Sequence, residues 1–159
     1  MQPGTEAFPA SMVWSNEELL DATSLVSVRT RGDVAHLFLY EIRSKDDDVV
    51  SRCRAVSGTV ANGSSCTNLE SRWPDPVIGP TYIDGDRATV TIAAPAETDV
   101  VELHFAERTL DVVPVNGWAV VPTARSAVCP TFTATAHLPG GETIQGTSFT
   151  PCFPPRESE

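Results

Sequence analysis

The residues of this chain with the clearest chemical potential are its four cysteines. They form two local pairs, Cys53 with Cys66 and Cys129 with Cys152. The second pair flanks a predicted hairpin that turns at Pro139-Gly140-Gly141, which would bring Cys129 opposite the region of Cys152. Four cysteines allow three connectivities, and the spacing favours these two local disulfides. Paired cysteines predict an oxidising compartment outside the cytosol.

Polar loops supply the next group of candidate residues. An Arg31-Gly32-Asp33 turn could present a guanidinium and a carboxylate to an adhesion receptor, although any hairpin favours such a turn. The Asp46–Asp48 run and the Asp84-Gly85-Asp86 turn could offer oxygen ligands to Ca²⁺, but neither has EF-hand spacing, so solvated turns are expected. The candidate binding residues in these loops and in the Pro-rich segment after residue 72 are Arg31, Asp33, Asp47, Trp73, Asp84 and Asp86.

The sequence predicts no metal site, no cofactor and no catalytic residue. Its three histidines, His36, His104 and His137, occur in no HExxH motif or Cys-His cluster, and alternation places His104 and His137 on surface faces. No G-x-S-x-G elbow is present. A hydrolase would need a histidine and a carboxylate that converge from separate strands.

Composition limits the possible partners. The chain has 159 residues, with 11 Lys plus Arg against 21 Asp plus Glu and a formal net charge of −10. This excess of acid disfavours nucleic acid and anionic lipid surfaces. There is no apolar run of about 18 residues, and residues 1–24 lack the pattern of a signal peptide. Because the cysteines imply export, we expect a secretion signal or membrane anchor upstream of Met1.

The distribution of turn residues along the chain predicts one β domain at 15–153, between an N-terminal arm at 1–14 and a tail at 154–159. The capping-box sequence Ser15-Asn16-Glu17-Glu18 predicts one short helix. From residue 23 onward, period-two segments alternate with turn residues, as in an all-β fold.

The predicted strands include a hairpin at 24–43 and a closing hairpin at 128–150. Segment 87–94 alternates apolar residues with Arg and Thr, which predicts one buried face. Asn116-Gly117 favours a type I′ turn within a three-stranded meander over 99–121. Eight or nine such strands predict a two-sheet immunoglobulin-like β-sandwich.

Four runs along the chain also carry a family likeness. They are Leu37–Arg43, the Gly/Ser-rich loop from Cys53 to Cys66, Val100–Phe105 and Arg108–Trp118. In their order, these runs resemble extracytoplasmic domains of membrane-anchored proteins from high-GC Gram-positive bacteria, which have no assigned activity. The resemblance implies a single-pass anchor upstream and a β-sandwich that faces the cell wall. The chain departs from it in the pair Cys129 and Cys152 and in the Ala106-Glu107-Arg108 turn.

The function expected from these features is a non-catalytic extracytoplasmic binding or sensory module of the bacterial cell envelope, with a protein or cell-wall ligand and no nucleic acid partner. A secreted protease inhibitor is one alternative, because the Cys53–Cys66 loop and Cys129-Pro130 are similar to segments of small secreted bacterial subtilisin inhibitors. A wall-polymer hydrolase is the other. The sequence does not specify an oligomeric state.

Overall fold

The computed structural model describes residues 1–30, 32–60, 62–68, 78–129 and 131–149. Within these ranges the chain forms antiparallel β-strands and one short α-helix. The elements are β1 (Gln2–Pro3), β2 (Glu17–Arg29), β3 (Val34–Ser44), β4 (Val50–Gly58), β5 (Gly63–Asn68), β6 (Ile78–Asp84), β7 (Arg87–Ala93), β8 (Val100–His104), β9 (Thr109–Val112), β10 (Trp118–Ala124), α1 (Arg125–Val128), β11 (Thr131–His137) and β12 (Thr143–Phe149).

The strands form three sheets that are stacked in layers. The first sheet has the order β1-β2-β3-β4-β5, the middle sheet β10-β7-β6 and the outer sheet β12-β11-β8-β9. Leu37 and Val56 of the first sheet pack with Val120 of the middle sheet. On the opposite side, Val90 and Leu103 belong to a larger cluster between the middle and outer sheets. The middle sheet is therefore covered on both faces.

This layering confirms an all-β sandwich of antiparallel sheets but differs from the expected two sheets of eight or nine strands. The polar face predicted for β7 carries Thr89 and Thr91, and both are buried. Thr91 is opposite Val120, which packs on the first sheet. The interpretation of β7 as half-buried was therefore wrong. Threonine is β-branched and packs well in a strand interior. Alternation of Thr with Val therefore does not show whether the threonine face of a strand is exposed to solvent or buried by another sheet.

The helix predicted at residues 15–20 is also wrong, because this segment is a turn that leads into β2. The Glu17 N–H donates to the Trp14 carbonyl oxygen at 3.0 Å, and the Trp14 N–H donates to Glu17 Oε1 at 2.9 Å. These reciprocal bonds resemble those of a capping box. Glu17 then pairs with Ser44 of β3, and this long-range pairing outweighs local helix propensity.

Helical structure in the described part of the chain is confined to single turns, a 3₁₀ turn at Ala10–Met12 and α1. No helix within those ranges has the length and hydropathy that a membrane span requires.

The N-terminal arm lies against the first sheet. Gln2 and Pro3 pair with β2, and the Phe8 ring centroid lies 5.6 Å from that of Phe38 and 4.7 Å from that of Tyr40. Phe38 and Tyr40 project from β3 on the face that points away from the middle sheet. The arm therefore shields an apolar cluster that the middle sheet does not reach.

The predicted turn at Asn116-Gly117 is confirmed, but the meander around it is not. Asn116 and Gly117 have φ values of 51° and 86°, as a type I′ turn requires. However, β10 pairs with β7 instead of β9 and so joins a different sheet. The turn chemistry is local, whereas the choice of partner strand depends on packing across the whole domain.

Gly117 supplies a specific stability prediction. Its φ is in the left-handed region, and a Cβ atom there would overlap the Ala94 carbonyl oxygen. We expect Gly117→Ala to lower the free energy of unfolding by about 2 kcal/mol, measured by urea denaturation. Gly85→Ala is the matched control, because Gly85 has φ +61° and no heavy atom within 4 Å of an added Cβ. Equal losses in the two variants would contradict the packing argument.

One local disulfide joins Cys53 to Cys66, as predicted. The two residues are directly opposite each other in the β4–β5 ladder. Cys129 is also disulfide-bonded, but its predicted partner, Cys152, lies outside the described residues, as does the tail at 154–159. The closing hairpin that was expected to bring this second pair together is present as β11 and β12.

A buried cation lies between the first and middle sheets. Arg54 is 1% exposed, and its guanidinium carbon lies 5.2 Å from the centroid of the Trp118 ring. Burial lowers the pKa of Arg54 to about 10. Close by, the Tyr82 hydroxyl donates to Ser65 Oγ at 3.1 Å, and burial raises the pKa of Tyr82 above its ordinary value.

The shifted pKa of Tyr82 predicts how the free energy of unfolding changes with pH in the alkaline range. A raised tyrosine pKa gives a stabilising contribution that is complete below the unfolded value of about 10 and is lost as pH rises through the folded value. Tyr82→Phe should therefore lose less stability than the wild type above about pH 10. The lowered pKa of Arg54 makes its contribution to stability rise with pH. Arg54 is present in both the wild type and the variant, so the comparison isolates the effect of Tyr82. Urea unfolding at a series of pH values measures the difference, and parallel pH profiles would contradict the prediction.

Candidate functional site

The side chain of Asp33, a predicted binding residue, contacts other residues of the same chain. Arg87 Nη2 of the middle sheet lies 2.7 Å from Asp33 Oδ2, and the Thr59 hydroxyl donates to Asp33 Oδ1 at 3.4 Å. Arg31 lies outside the described residues. The Asp33 carboxylate therefore joins the β2–β3 turn to β7, and presenting it to a partner would require these contacts to break.

The second acidic turn is a simple hairpin. Asp84 and Asp86 flank Gly85 in the turn between β6 and β7, and all three are exposed. The Asp86 carbonyl oxygen accepts a hydrogen bond from the Arg125 N–H at 2.8 Å. The candidate residue Trp73 lies outside the described residues. Among the residues that the structure describes, no group of three His, Cys, Asp or Glu side chains could hold a metal ion.

The third predicted loop, which contains Asp47, is joined to the turn that precedes β2. The Lys45 N–H donates to the Asn16 carbonyl oxygen at 2.8 Å, and Asn16 Nδ2 donates to Asp46 Oδ2 at 3.3 Å. Asp47 Oδ1 accepts from the Val49 N–H at 3.1 Å. Two turns that are about thirty residues apart in sequence thus form one surface at an end of the first sheet.

Four large apolar side chains are exposed at this end of the sheet. Their exposed fractions are 73% for Trp14, 41% for Leu19, 39% for Leu20 and 42% for Val49. The last rungs of the β2–β3 ladder pair Glu17 with Ser44, Glu18 with Arg43 and Leu19 with Ile42. Three rungs span only about 10 Å along the strands, and the Trp14 and Val49 carbonyl oxygens accept from the Glu17 and Ser44 N–H groups of the terminal rung, so the backbones of these four residues lie at the same end of the first sheet. We call the set Trp14, Leu19, Leu20 and Val49 the apolar end.

Five carboxylates lie in the same turns and terminal rungs as the apolar end. We call this set the acidic rim, and its members are Glu17, Glu18, Asp46, Asp47 and Asp48. Arg43 lies 3.8 Å from Glu18 Oε2 and 3.3 Å from Asp48 Oδ1, and Lys45 is the other nearby cation. Five carboxylates against two cations leave a local net charge of −3. Exposed apolar side chains inside a charged rim are typical of a protein interaction surface.

A separate cluster of titratable residues lies on the outer face of the outer sheet. Glu102 Oε1 is hydrogen-bonded to His137 Nε2, and Glu102 Oε2 lies 3.6 Å from His104 Nε2. The Thr109 hydroxyl lies 3.5 Å from His104 Nδ1. The predicted surface placement of both histidines is confirmed, but they are not isolated, because one carboxylate contacts both imidazoles.

Register explains why this cluster does not form a metal site. His104 is opposite Thr133, whereas His137 is opposite Val100, so the two histidines are four positions apart along the ladder. Four positions correspond to about 13 Å, and the imidazoles reach Glu102 from opposite sides. Zinc needs its nitrogen ligands within about 2.1 Å of one point. The arrangement instead gives a polar surface that is stabilised by hydrogen bonds.

The third histidine lies beside a hydroxyl and a carboxylate near the N-terminal arm. The Ser27 hydroxyl and His36 Nδ1 are 2.7 Å apart, and His36 Nε2 lies 3.9 Å from Glu6 Oε2. Ser27 and His36 are directly opposite each other in the β2–β3 ladder. A hydroxyl beside an imidazole that in turn lies beside a carboxylate is the arrangement used in nucleophilic catalysis. Here the distance between His36 and Glu6 exceeds hydrogen-bond length.

Comparison with protein-family models, with curated proteins and with solved structures found no match to this chain. The site must therefore be interpreted from its own geometry.

Sequence reasoning identified the Asp47 loop but missed the apolar residues beside it. Leu19 and Leu20 were assigned to a short helix, and Trp14 to the N-terminal arm. A signal was available in the Trp14–Leu20 segment, where a tryptophan and two leucines flank a Glu-Glu pair. Only the pairing of β2 with β3 brings this segment next to Val49.

Proposed function

We propose that this protein is a non-catalytic extracytoplasmic binding module of the bacterial cell envelope and that its binding surface is the apolar end. The observation that carries the proposal is the exposure of Trp14, Leu19, Leu20 and Val49 at one end of a rigid sheet. A few well-packed side chains, most often tryptophan, tyrosine and arginine, dominate the free energy of protein interfaces, and Trp14 is the most exposed member of this set. The Cys53–Cys66 disulfide supports a location in an oxidising compartment.

We further propose that residues 78–149 form an immunoglobulin-like unit. Their seven strands divide into a three-stranded sheet, β10-β7-β6, and a four-stranded sheet, β12-β11-β8-β9. In chain order, β6, β7 and β10 correspond to strands A, B and E of a fibronectin type III arrangement, and β8, β9, β11 and β12 correspond to its strands C, C′, F and G. The first sheet then packs on the A-B-E layer, and this would hold the apolar end at a fixed position relative to that unit.

The binding proposal is tested with purified cell envelopes from a high-GC Gram-positive bacterium. The double variant Trp14→Ser/Leu20→Ser should bind at least about tenfold more weakly than the wild type, because hot-spot side chains each contribute more than about 1.4 kcal/mol. Both residues are exposed, so stability should change by no more than about 0.5 kcal/mol. Co-sedimentation over a range of protein concentrations measures the affinity.

Val113→Ser is the matched control, because Val113 is exposed at another position in the chain, beyond the end of β9. It should bind envelopes like the wild type. If the double variant and the wild type bind equally, the apolar end is not the binding surface. Loss of binding in Val113→Ser as well would indicate a general hydrophobic association and would equally contradict the proposal.

The contacts between Ser27, His36 and Glu6 favour a wall-polymer hydrolase as the second candidate function. In that case Ser27 would attack an acyl carbon of the substrate while His36 accepts its proton, and His36 would return this proton to the leaving group as the acyl bond breaks. Water, activated by His36 in the same way, would then hydrolyse the acyl enzyme and free Ser27. The same envelope incubations, analysed for soluble fragments, test this function. Fragments released by the wild type and absent with Ser27→Ala would replace the binding proposal with the enzymatic one. A protease inhibitor stays a prediction, which subtilisin and trypsin assays would test.

A further inference from the structure

We infer that the partner of the apolar end is a basic protein segment with an aromatic or aliphatic centre, and not a second copy of this chain or a lipid surface. This inference rests on the proposed function and specifies the chemistry of its ligand. It follows from the acidic rim, from the contacts that hold the rim in place and from the shape of the β2 edge.

The acidic rim determines the charge of the partner. With Arg43 and Lys45 included, the local net charge is −3 at the end of the sheet where a partner must desolvate the apolar side chains. A surface with basic residues around its own apolar centre would neutralise the rim on contact, and such complementarity raises association rates and excludes partners of the wrong sign. Two copies of this chain would instead bring two acidic rims together. Anionic lipid headgroups would be repelled for the same reason.

The acidic rim is also held in place before binding. Asp46 accepts from Asn16 Nδ2, Asp47 accepts from the Val49 N–H, and Asp48 lies 3.3 Å from Arg43 Nε. Three successive carboxylates therefore have local partners that fix their positions. A rim that is already ordered loses little side-chain entropy on association, which favours charge recognition at this end.

The β2 edge determines how the partner docks. Within the described residues, β1 pairs with Val26 and Ser27, and the Gly4 N–H donates to the Leu25 carbonyl oxygen, so no described strand pairs with the outer side of residues 17–23. A bulge between Leu19 and Asp21 removes Leu20 from the ladder with β3. Bulges and charged residues on an edge oppose the addition of another strand. The partner therefore contacts the side chains of the apolar end and does not extend the sheet.

The inference is tested with two synthetic peptides of equal length. One alternates lysine with tryptophan and leucine, and the other has glutamate at each lysine position. We expect saturable binding of the lysine peptide by isothermal titration calorimetry, and at least about tenfold weaker binding of the glutamate peptide. Asp46→Asn/Asp47→Asn should weaken lysine-peptide binding about threefold to tenfold and reduce its dependence on salt. Asparagine keeps one acceptor oxygen at each position, for the Val49 N–H at position 47 and, after rotation of the side-chain amide, for Asn16 Nδ2 at position 46, so both turn contacts can be retained.

Asp84→Asn/Asp86→Asn is the matched control, because it removes two exposed charges from another turn. It should leave peptide binding unchanged. Equal weakening by the two double variants would mean that the peptide responds only to the overall charge, which overturns the inference. Absence of saturable binding of the lysine peptide also overturns it.

The remaining outcomes separate this inference from the proposed function. If Trp14→Ser/Leu20→Ser abolishes envelope binding but the Asp46→Asn/Asp47→Asn variant binds normally, the binding surface stands and the basic partner does not. A dimer in analytical ultracentrifugation that Trp14→Ser dissociates would identify a second copy as the occupant. Trp14-dependent binding to phosphatidylcholine vesicles would identify a lipid surface. Either result overturns the inference.

Discussion

Replacing Phe38 with alanine is expected to lower the free energy of unfolding by about 3–5 kcal/mol, as for other large-to-small core substitutions. Phe38 is fully buried on the face of β3 that the middle sheet does not cover. Its ring lies in edge contact with Phe8 of the N-terminal arm. Alanine would remove the aromatic contacts and leave a cavity beneath the arm. Urea denaturation at a fixed temperature measures this loss.

The comparison with Phe8→Ala shows how much the arm contributes to stability. If the arm packs as described, Phe8→Ala should cost about 1–2 kcal/mol, because Phe8 is partly buried and full burial of a phenylalanine contributes about 1.5–3 kcal/mol. A tether would make the Phe8 substitution neutral. Because the two rings are in contact, the double variant should lose less than the sum of the single losses. Full additivity would indicate that Phe8 and Phe38 do not pack together in solution.

Removing the Cys53–Cys66 disulfide should cost about 3 kcal/mol. In the chain-entropy model, a bridge across a loop of this size, here with a sequence separation of 13, restricts the unfolded chain by about that amount. The variant Cys53→Ala/Cys66→Ala should therefore unfold at a temperature about 6–12 °C lower, because each kcal/mol corresponds to about 2–4 °C in a chain of this length. Differential scanning calorimetry measures the shift.

Reduction of the wild-type protein provides the control for the alanine variant. Reducing agent should lower the melting temperature of the wild type. It should lower the melting temperature of the variant without Cys53 and Cys66 by a smaller amount. Cys53 is fully buried in the first sheet, so its alanine substitution also removes some packing. An unchanged melting temperature in the variant would show that the bridge adds nothing to the hydrophobic core.

These two predictions concern the first sheet because it supports the proposed binding surface. The apolar end consists of side chains at the last rungs of β2 and β3 and in the adjoining turns. Phe38 and the Cys53–Cys66 bridge lie further along the same sheet. Their loss should therefore lower stability without changing the side chains of the apolar end. Any loss of binding in these variants should disappear at temperatures where they remain folded.

The sequence by itself determined the features that depend on neighbouring residues. The Asn116-Gly117 turn has the predicted positive φ values, because these two residues tolerate the left-handed region. The first and closing hairpins follow from alternation between turn residues. The Cys53–Cys66 bridge joins residues of one β4–β5 hairpin. In each case the controlling interactions extend over only a few positions along the chain.

The tertiary structure alone decided which strands and side chains meet across long separations. β10 leaves the predicted meander to pair with β7, and Thr89 and Thr91 become buried because a third sheet covers them. Glu102 meets His137, which is 35 residues away, and Asn16 meets Asp46, which is 30 residues away. Alternation fixes only the relative faces of side chains within a strand. The partner of each face depends on the packing free energy of the whole domain, which no local pattern encodes.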